Sequence, residues 1–390
     1  MTWRRFITRP LLAAAVAGAG ALLGVAGGSV AAGAYFARRL LTPDDEQPDD
    51  VVVLAHRGRA VSLGVTPETV VPGRYGLWLD GGAGHARLGR ILRLDEESVT
   101  RELVALDRGR LRPGPARWNQ YWYWDRPSVS MGIPDEDVVV LTELGAVPAW
   151  LVRPEPARGA TTTWAVLVHG RGARKEETLR AVPLLRAAGI TALVVGYRND
   201  RDAPRGPDGR YGLGLAEWRD VDAALRHAVR QGARRIVLFG WSMGGAIALQ
   251  VLDNSILADR VCGVVLDSAV LDWTAVMRHH ARLERIPEWV VAVASGLMGM
   301  PRAGGLVGVR EPIDVGRTDW VRRSGELSRP MLVIHSEADD LVPIGPAVEL
   351  ARRRPDIVRL EQWQVAGHCR EWNYDTERWE RAVTQFLAGL

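Results

Sequence analysis

Cysteine is nearly absent from this chain: Cys262 and Cys369 are the two in 390 residues. That excludes a disulfide framework and a cysteine-built metal site, because neither has a neighbour at ligand spacing. A bridge between the two is not expected either. Cys369 follows the carboxyl end of one predicted strand, whereas Cys262 begins another at the opposite edge of the sheet. Lysine is scarcer still, Lys175 being the only one among 50 basic residues. Nor is there an excess of positive charge in the body. Arg4, Arg5, Arg9, Arg38 and Arg39 precede every acidic residue, and removing those five from 50 leaves 45 basic residues against 46 acidic. A body so close to neutral gives no footprint for nucleic acid. A phosphate cradle is also missing, since Gly81-Gly82-Ala83-Gly84 is followed by no helical pattern. Neither a metal nor a nucleotide cofactor is expected.

What is present begins with an uncharged run from Pro10 to Ala37, rich in alanine and glycine and long enough to cross a bilayer. Arginines lie on both sides, and an acidic tract (Pro43–Asp50) follows. Residues 1–39 are expected to form a membrane anchor that leaves the body outside the cytoplasm. Cleavage near Ser29-Val30-Ala31, giving a secreted protein, is the competing reading.

After a linker over 40–50, residues 51–134 carry short strand-like segments at Val51–Leu54, Tyr75–Leu79, Arg87–Leu94 and Ser98–Leu106, divided by Gly- and Pro-bearing turns. They predict a small β domain. Trp118, Tyr121, Trp122, Tyr123 and Trp124 close it; packing against the next domain is the commoner role for such a cluster, a substrate wall or lipid anchor the alternative. From residue 135 a hairpin (Val138–Leu141, Val147–Val152) precedes six strand-like runs at Trp164–Val168, Thr191–Val195, Ile236–Phe239, Cys262–Leu266, Met331–Ile334 and Ile357–Gln364. Helical patterns alternate with them, including Glu176–Ala188, Leu215–Gln231, Gly244–Leu252, Pro346–Arg353 and Thr376–Leu390. Such alternation predicts an α/β fold, a mostly parallel sheet with helices on both faces. One interval, about 270–328, breaks the rhythm and is expected to be a helical lid.

Arg234–Leu252 holds the chemistry. A buried strand, then Gly240-Trp241-Ser242-Met243-Gly244, then a helix is the setting of a nucleophile elbow. The turn must be strained to lift the hydroxyl, and glycines must flank it because a Cβ there would collide with the neighbouring strand or helix. Met243 opens the helix, so its N–H is free to stabilise an oxyanion. A serine needs a base and an orienting acid. Asp339 lies in the loop past Met331–Ile334, and His368 past Ile357–Gln364, which gives the chain order Ser242, Asp339, His368. Asp267 and Asp340 are the competing acids. His279 and His280, in the lid, look like solvent-facing or rim residues, and Trp372 and Asn373 are candidates for holding the histidine loop.

His169-Gly170 after a strand, the Gly-Trp-Ser-Met-Gly-Gly elbow, Asp339 followed by Val342-Pro343, and Gly367-His368 resemble the α/β-hydrolase superfamily, and within it bacterial serine hydrolases related to prolyl-oligopeptidase and acyl-peptidase catalytic domains. The resemblance covers about residues 135–390. It implies that the loop after the first strand of the alternating region supplies a second oxyanion donor, the N–H of Arg171. It does not cover the β preface, which is too short for a propeller, so a peptidase remains the alternative. The leading expectation is a serine hydrolase of carboxylic esters or thioesters, acting on a small-molecule or lipid ester. A non-catalytic binding protein on the same fold is the third reading, opposed by the complete Ser/Asp/His set.

Overall fold

The computed structural model describes residues 21–43, 48–156 and 161–390, with side chains from residue 28 onward. Helix α1 (Ala21–Leu41) leads to strands β1 (Val51–Arg57), β2 (Ala60–Gly64), β3 (Tyr75–Leu79), β4 (Gly84–Leu94), β5 (Ser98–Arg108) and β6 (Gly114–Asn119). These close into an antiparallel barrel in the order β1-β2-β5-β4-β3-β6. Alternate residues such as Val51 and Val53, Val61 and Leu63, and Ala116 and Trp118 point inward, as a two-residue period requires. Strands β2 and β6 were not expected from the sequence. Each is short, and β6 contains Pro115 and Arg117.

The barrel interior also holds a cation. Arg101 is fully buried, and its guanidinium donates to the carbonyls of Thr69 (3.1 Å), Gly73 (3.2 Å), Gly89 (2.8 Å) and Val71. It also lies over the Tyr75 and Trp118 rings, 5.3 and 4.9 Å from their centroids. Burial pulls its pKa down to about 10, so it stays charged at neutral pH. Carbonyl dipoles and ring faces do here what water does at a surface.

After α2 (Pro127–Ser130) come β7 (Glu136–Thr142), β8 (Gly145–Val152), β9 (Thr163–Val168), β10 (Thr191–Val195), β11 (Arg235–Trp241), β12 (Val261–Asp267), β13 (Met331–Ser336) and β14 (Val358–Trp363). They form an eight-stranded sheet ordered β14-β13-β12-β11-β9-β10-β8-β7, parallel except where β8 meets β7 and β10. Both faces are covered: along β9, Val166 and Val168 pack to one side, Ala165 and Leu167 to the other. The helices are α3 (Val182–Ala187), α4 (Trp218–Arg230), α5 (Met243–Asn254), α6 (Trp273–Leu283), α7 (Glu288–Gly299), α8 (Gly304–Val307), α9 (Gly345–Arg353), α10 (Glu371–Tyr374) and α11 (Thr376–Ala388). Because β9 pairs with both β10 and β11, the direction of sheet building reverses there, and a crevice opens beyond the carboxyl ends of these strands.

Two expectations need correction. The helix expected over Glu176–Ala188 is instead a 3₁₀ turn (Lys175–Ala181) followed by the short α3. Pro183 sits in the first turn of α3, where its missing N–H costs nothing, but it cannot continue a helix begun upstream. The expected membrane span over Pro10–Ala37 is not supported. Residues 10–20, with the leading Arg4, Arg5 and Arg9, lie outside the described residues; among the described residues no helix is long and apolar enough to cross a membrane. The end of α1 is used on protein contacts, with Phe36, Ala37, Leu40 and Leu41 buried in the main core. Gly33 packs so tightly on α7 that a Cβ would lie 2.5 Å from Val293 Cγ1.

Barrel and sheet are joined at the turn after β14. Asn373 Nδ2 donates to the carbonyls of Arg74 (2.7 Å) and Gln120 (2.9 Å), and the Arg74 N–H donates to Asn373 O (2.9 Å). An ion pair, Arg370–Glu68 at 3.1 Å, lies beside them. Gly73, at φ +115°, approaches this joint so closely that a Cβ would stand 2.2 Å from Asn373 O. Gly73→Ala is therefore expected to lower stability by about 1–3 kcal/mol, read as a fall in Tm by circular dichroism. An unchanged Tm would show that the joint gives way freely.

Candidate active site

The crevice beyond β9 and β11 contains a cavity of about 70 Å³, lined by Ser242 and His368 together with Gly170, Arg171, Gly172, Asn119, Gln120, Tyr121 and apolar side chains including Leu40, Trp273 and Val276. Ser242 sits at φ +52°, ψ −119°, a conformation that L-residues avoid. It is held there by close backbone approaches. A Cβ on Gly244 would lie 2.2 Å from Val168 O, and one on Gly240 2.5 Å from Gly244 O. On Gly170 a Cβ would meet the Cβ of Ser242 at 2.9 Å. The Ser242 N–H donates to Asp267 O (3.0 Å), while its carbonyl accepts from Gly245 and Val270 (both 3.0 Å). Met243 follows as the first residue of α5, so its N–H has no acceptor within the helix; its side chain is fully buried away from the cavity.

His368 Nδ1 is 2.7 Å from Asp339 Oδ2. The other carboxylate oxygen of Asp339 accepts the N–H groups of Leu341 and Val342, both at 2.9 Å. His335 Nε2 lies 3.3 Å from Oδ2 on the far side. Burial alone would raise the Asp339 pKa, but the two imidazoles hold it well below the usual carboxylate range. Burial acts on His368 in the opposite sense, favouring the neutral ring, yet the Asp339 charge prevails and its pKa is raised above 6.5. His368 Nε2 faces Cys369 Sγ at 3.6 Å, and no hydrogen bond joins it to Ser242 Oγ.

The competing acids are placed elsewhere. Asp267 is buried beneath the site, where its Oδ2 accepts from Trp241 Nε1 (3.1 Å) and Trp379 Nε1 (2.8 Å). Asp340 is exposed. His169 is a structural histidine, stacked on Tyr197 and bonded to Asp200 Oδ2 at 2.9 Å. His280 corrects the reading of the lid histidines as rim residues: it is 3% exposed and lines the cavity, with Nε2 2.8 Å from Leu341 O. Burial pushes its pKa down to about 4, so it is neutral at neutral pH. Asn373 holds the histidine loop through its side chain, Trp372 by packing. Cys262 and Cys369 are both free thiols.

Sequence reasoning missed Glu177. Its Oε2 accepts the Gly170 N–H (2.9 Å) and its Oε1 accepts from Gln120 Nε2 (3.0 Å), so it ties the loop after β9 to the strand leaving the barrel. Nothing in its own neighbourhood of the chain marks it. Leu40, Asn119 and Gln120 were missed for the same reason, since each reaches the crevice from a separate part of the fold, whereas Tyr121 lines the cavity as the alternative role given for the aromatic cluster has it.

Residues 165–384 match the alpha/beta hydrolase family, and residues 52–119 match a domain of unknown function. Among solved structures, an esterase of Pyrococcus furiosus is similar at 18% identity and a TM-score of 0.51, over 68% of this chain and 94% of that one. A thermophilic esterase from Thermogutta terrifontis is 17% identical with a TM-score of 0.46, covering 65% of this chain and 98% of its own. An esterase from Rhodococcus is 19% identical with a TM-score of 0.45, over 65% and 99%. At 18% identity the likeness to the Pyrococcus furiosus esterase speaks to the fold. No curated protein matches the chain.

The electrostatics can be tested without a substrate. His368 is expected to titrate above pH 6.5 by NMR, because Asp339 stabilises its charged form. Asp339→Asn removes that charge and leaves burial, so the pKa should fall below 6.5. A value unchanged by the substitution would mean that Asp339 does not govern the ring.

Proposed function

The chain belongs to the alpha/beta hydrolase family, and on that premise we propose that it hydrolyses carboxylic esters, thioesters included, through an acyl-enzyme on Ser242. The observation that carries the reading is a serine on a strained elbow sharing one cavity with a histidine bonded to a buried carboxylate.

His368 Nε2 takes the Ser242 proton as Oγ attacks the carbonyl carbon, and the carbonyl π pair moves to oxygen. The N–H groups of Met243 and Arg171 receive that charge. Collapse expels the alcohol or thiol, which leaves with the proton from His368. Water then repeats the sequence, and the acid departs. Asp339 holds the tautomer and stabilises the imidazolium without itself being protonated, as its depressed pKa requires. Proton transfer needs a Ser242–His368 hydrogen bond, and catalytic hydrogen bonds of this kind tighten in the Michaelis complex.

Ester is favoured over peptide by the lining. Among the described residues around the cavity Glu177 is the one carboxylate, and both its oxygens are engaged, so none is left for a peptide amine. The cavity is small, about 70 Å³, where roughly 150 Å³ takes a benzene. Short acyl groups fit it.

Acetyl and butyryl p-nitrophenyl esters are expected to turn over faster than octanoyl esters, with an aminoacyl-p-nitroanilide left intact. Ser242→Ala should lower kcat about 10⁴-fold or more. The acid limb of kcat/KM should have its midpoint above pH 6.5, since His368 acts as base only when neutral and its pKa is raised. Turnover that survives in Ser242→Ala, or anilide cleavage without ester cleavage, would overturn the assignment.

A further inference from the structure

We propose that the carboxyl-terminal turns of α1 are a wall of the substrate cavity, with Leu40 the residue that limits acyl-chain length. This rests on the ester-hydrolase reading above and goes beyond it by assigning a substrate-contacting role to a helix remote in sequence from the Ser/His/Asp set.

Leu40 is 4% exposed and lines the cavity that holds Ser242 and His368. Behind it lies a second, much smaller cavity of about 10 Å³, lined by Phe36, Arg39, Leu40, Val276, Met277 and His280. Leu40, Val276 and His280 border both spaces, so these side chains are the partition between them. Truncating Leu40 joins the two into a channel that runs along α1 toward Phe36 and Met277. That channel is mainly apolar: the neutral His280 adds no charge to it, and Arg39, which also borders it, is paired with Glu284. Polar groups enter the lining of the main cavity from other segments, among them Asn119, Gln120 and Tyr121, and not from α1, whose contribution is Leu40. The apolar tail of a substrate therefore belongs on the Leu40 side.

The wall is built to stay in place. Arg171, whose loop carries the second proposed oxyanion donor, extends its guanidinium to the end of α1, donating to Leu40 O (3.0 Å), Arg39 O (3.3 Å) and Thr42 O (2.8 Å). The carbonyls of Arg39 and Leu40 are ones that a helix terminus leaves without intrahelical partners, and that of Thr42 lies just past the end of the helix. The Tyr211 N–H takes Leu41 O at 2.8 Å. Arg39 forms a two-pronged ion pair with Glu284 at the end of α6, at 2.5 and 2.8 Å. Gly33 seats the helix on α7. Four separate parts of the hydrolase body thus grip the same helix: the loop after β9, the segment at Tyr211, the end of α6 and α7.

The test uses the full chain and compares Leu40→Ala and Leu40→Trp with wild type on two series of esters, one varying the acyl part at fixed alcohol, the other the reverse. Leu40→Ala should raise the octanoyl-to-butyryl ratio of kcat/KM at least about tenfold, and Leu40→Trp should lower it, with the alcohol series little changed in both. Circular dichroism confirms folding, and either folded variant decides the matter if the other fails to fold. An acyl profile identical to wild type in a folded variant would overturn the proposal, as would a shift confined to the alcohol series. Failure of the ester-hydrolase reading looks different, because wild type itself would then cleave no ester.

Discussion

Everything at the crevice depends on how closely three backbones approach one another around Ser242. Strand β9, strand β11 and the start of α5 come together at distances that only glycine permits, with positions 170, 240 and 244 each too near a neighbouring main-chain or Cβ atom to carry a side chain. That packing over-determines the turn, so Ser242 can hold φ +52° at a cost the surrounding core absorbs. The strain has two products. It brings Ser242 to the wall of the cavity, and it starts a helix immediately afterward, leaving the Met243 N–H without an acceptor inside that helix.

The other half of the site is electrostatic. Asp339 would be an unfavourable charge at its depth were it not met by two backbone N–H groups and two imidazoles. Its ionisation in turn raises the affinity of His368 for a proton, against the pull of burial. The geometry at Ser242 is set by shape, and the protonation chemistry at His368 by charge. The two meet only at the cavity.

Much of this was legible in the sequence. The strands of the main sheet could be read because buried parallel strands are continuous apolar runs bounded by turns, and the elbow because its glycines are local. Asp339 and His368 were found by their position past strand ends. The barrel was read only in part, since β6 carries Pro115 and Arg117 within six residues and β2 is a five-residue strand with Ser62 at its centre, so neither shows the apolar run that marked its neighbours. The N-terminal run carries a signal with two physical readings. Alanine and glycine make a helix apolar enough to suggest lipid, but their small side chains equally suit tight helix–helix packing, and Gly33 against α7 uses them that way. Glu177, Leu40 and Gln120 could not be found at all, because each acts across a tertiary contact with no local signature.

The joint between barrel and sheet carries a further meaning. Arg370 and Asn373 follow His368 by two and five residues, and both hold on to the barrel: one through Glu68, the other through the carbonyls of Arg74 and Gln120. The region matching a domain of unknown function and the region matching the hydrolase family are therefore not interchangeable modules. A graft that brought in a foreign barrel would have to import the partners of the histidine loop along with it. Glu68, Gly73, Arg74 and Gln120 on one side and Arg370 and Asn373 on the other form a single contact unit, and exchanging one side alone would leave the buried polar groups of the other without their partners.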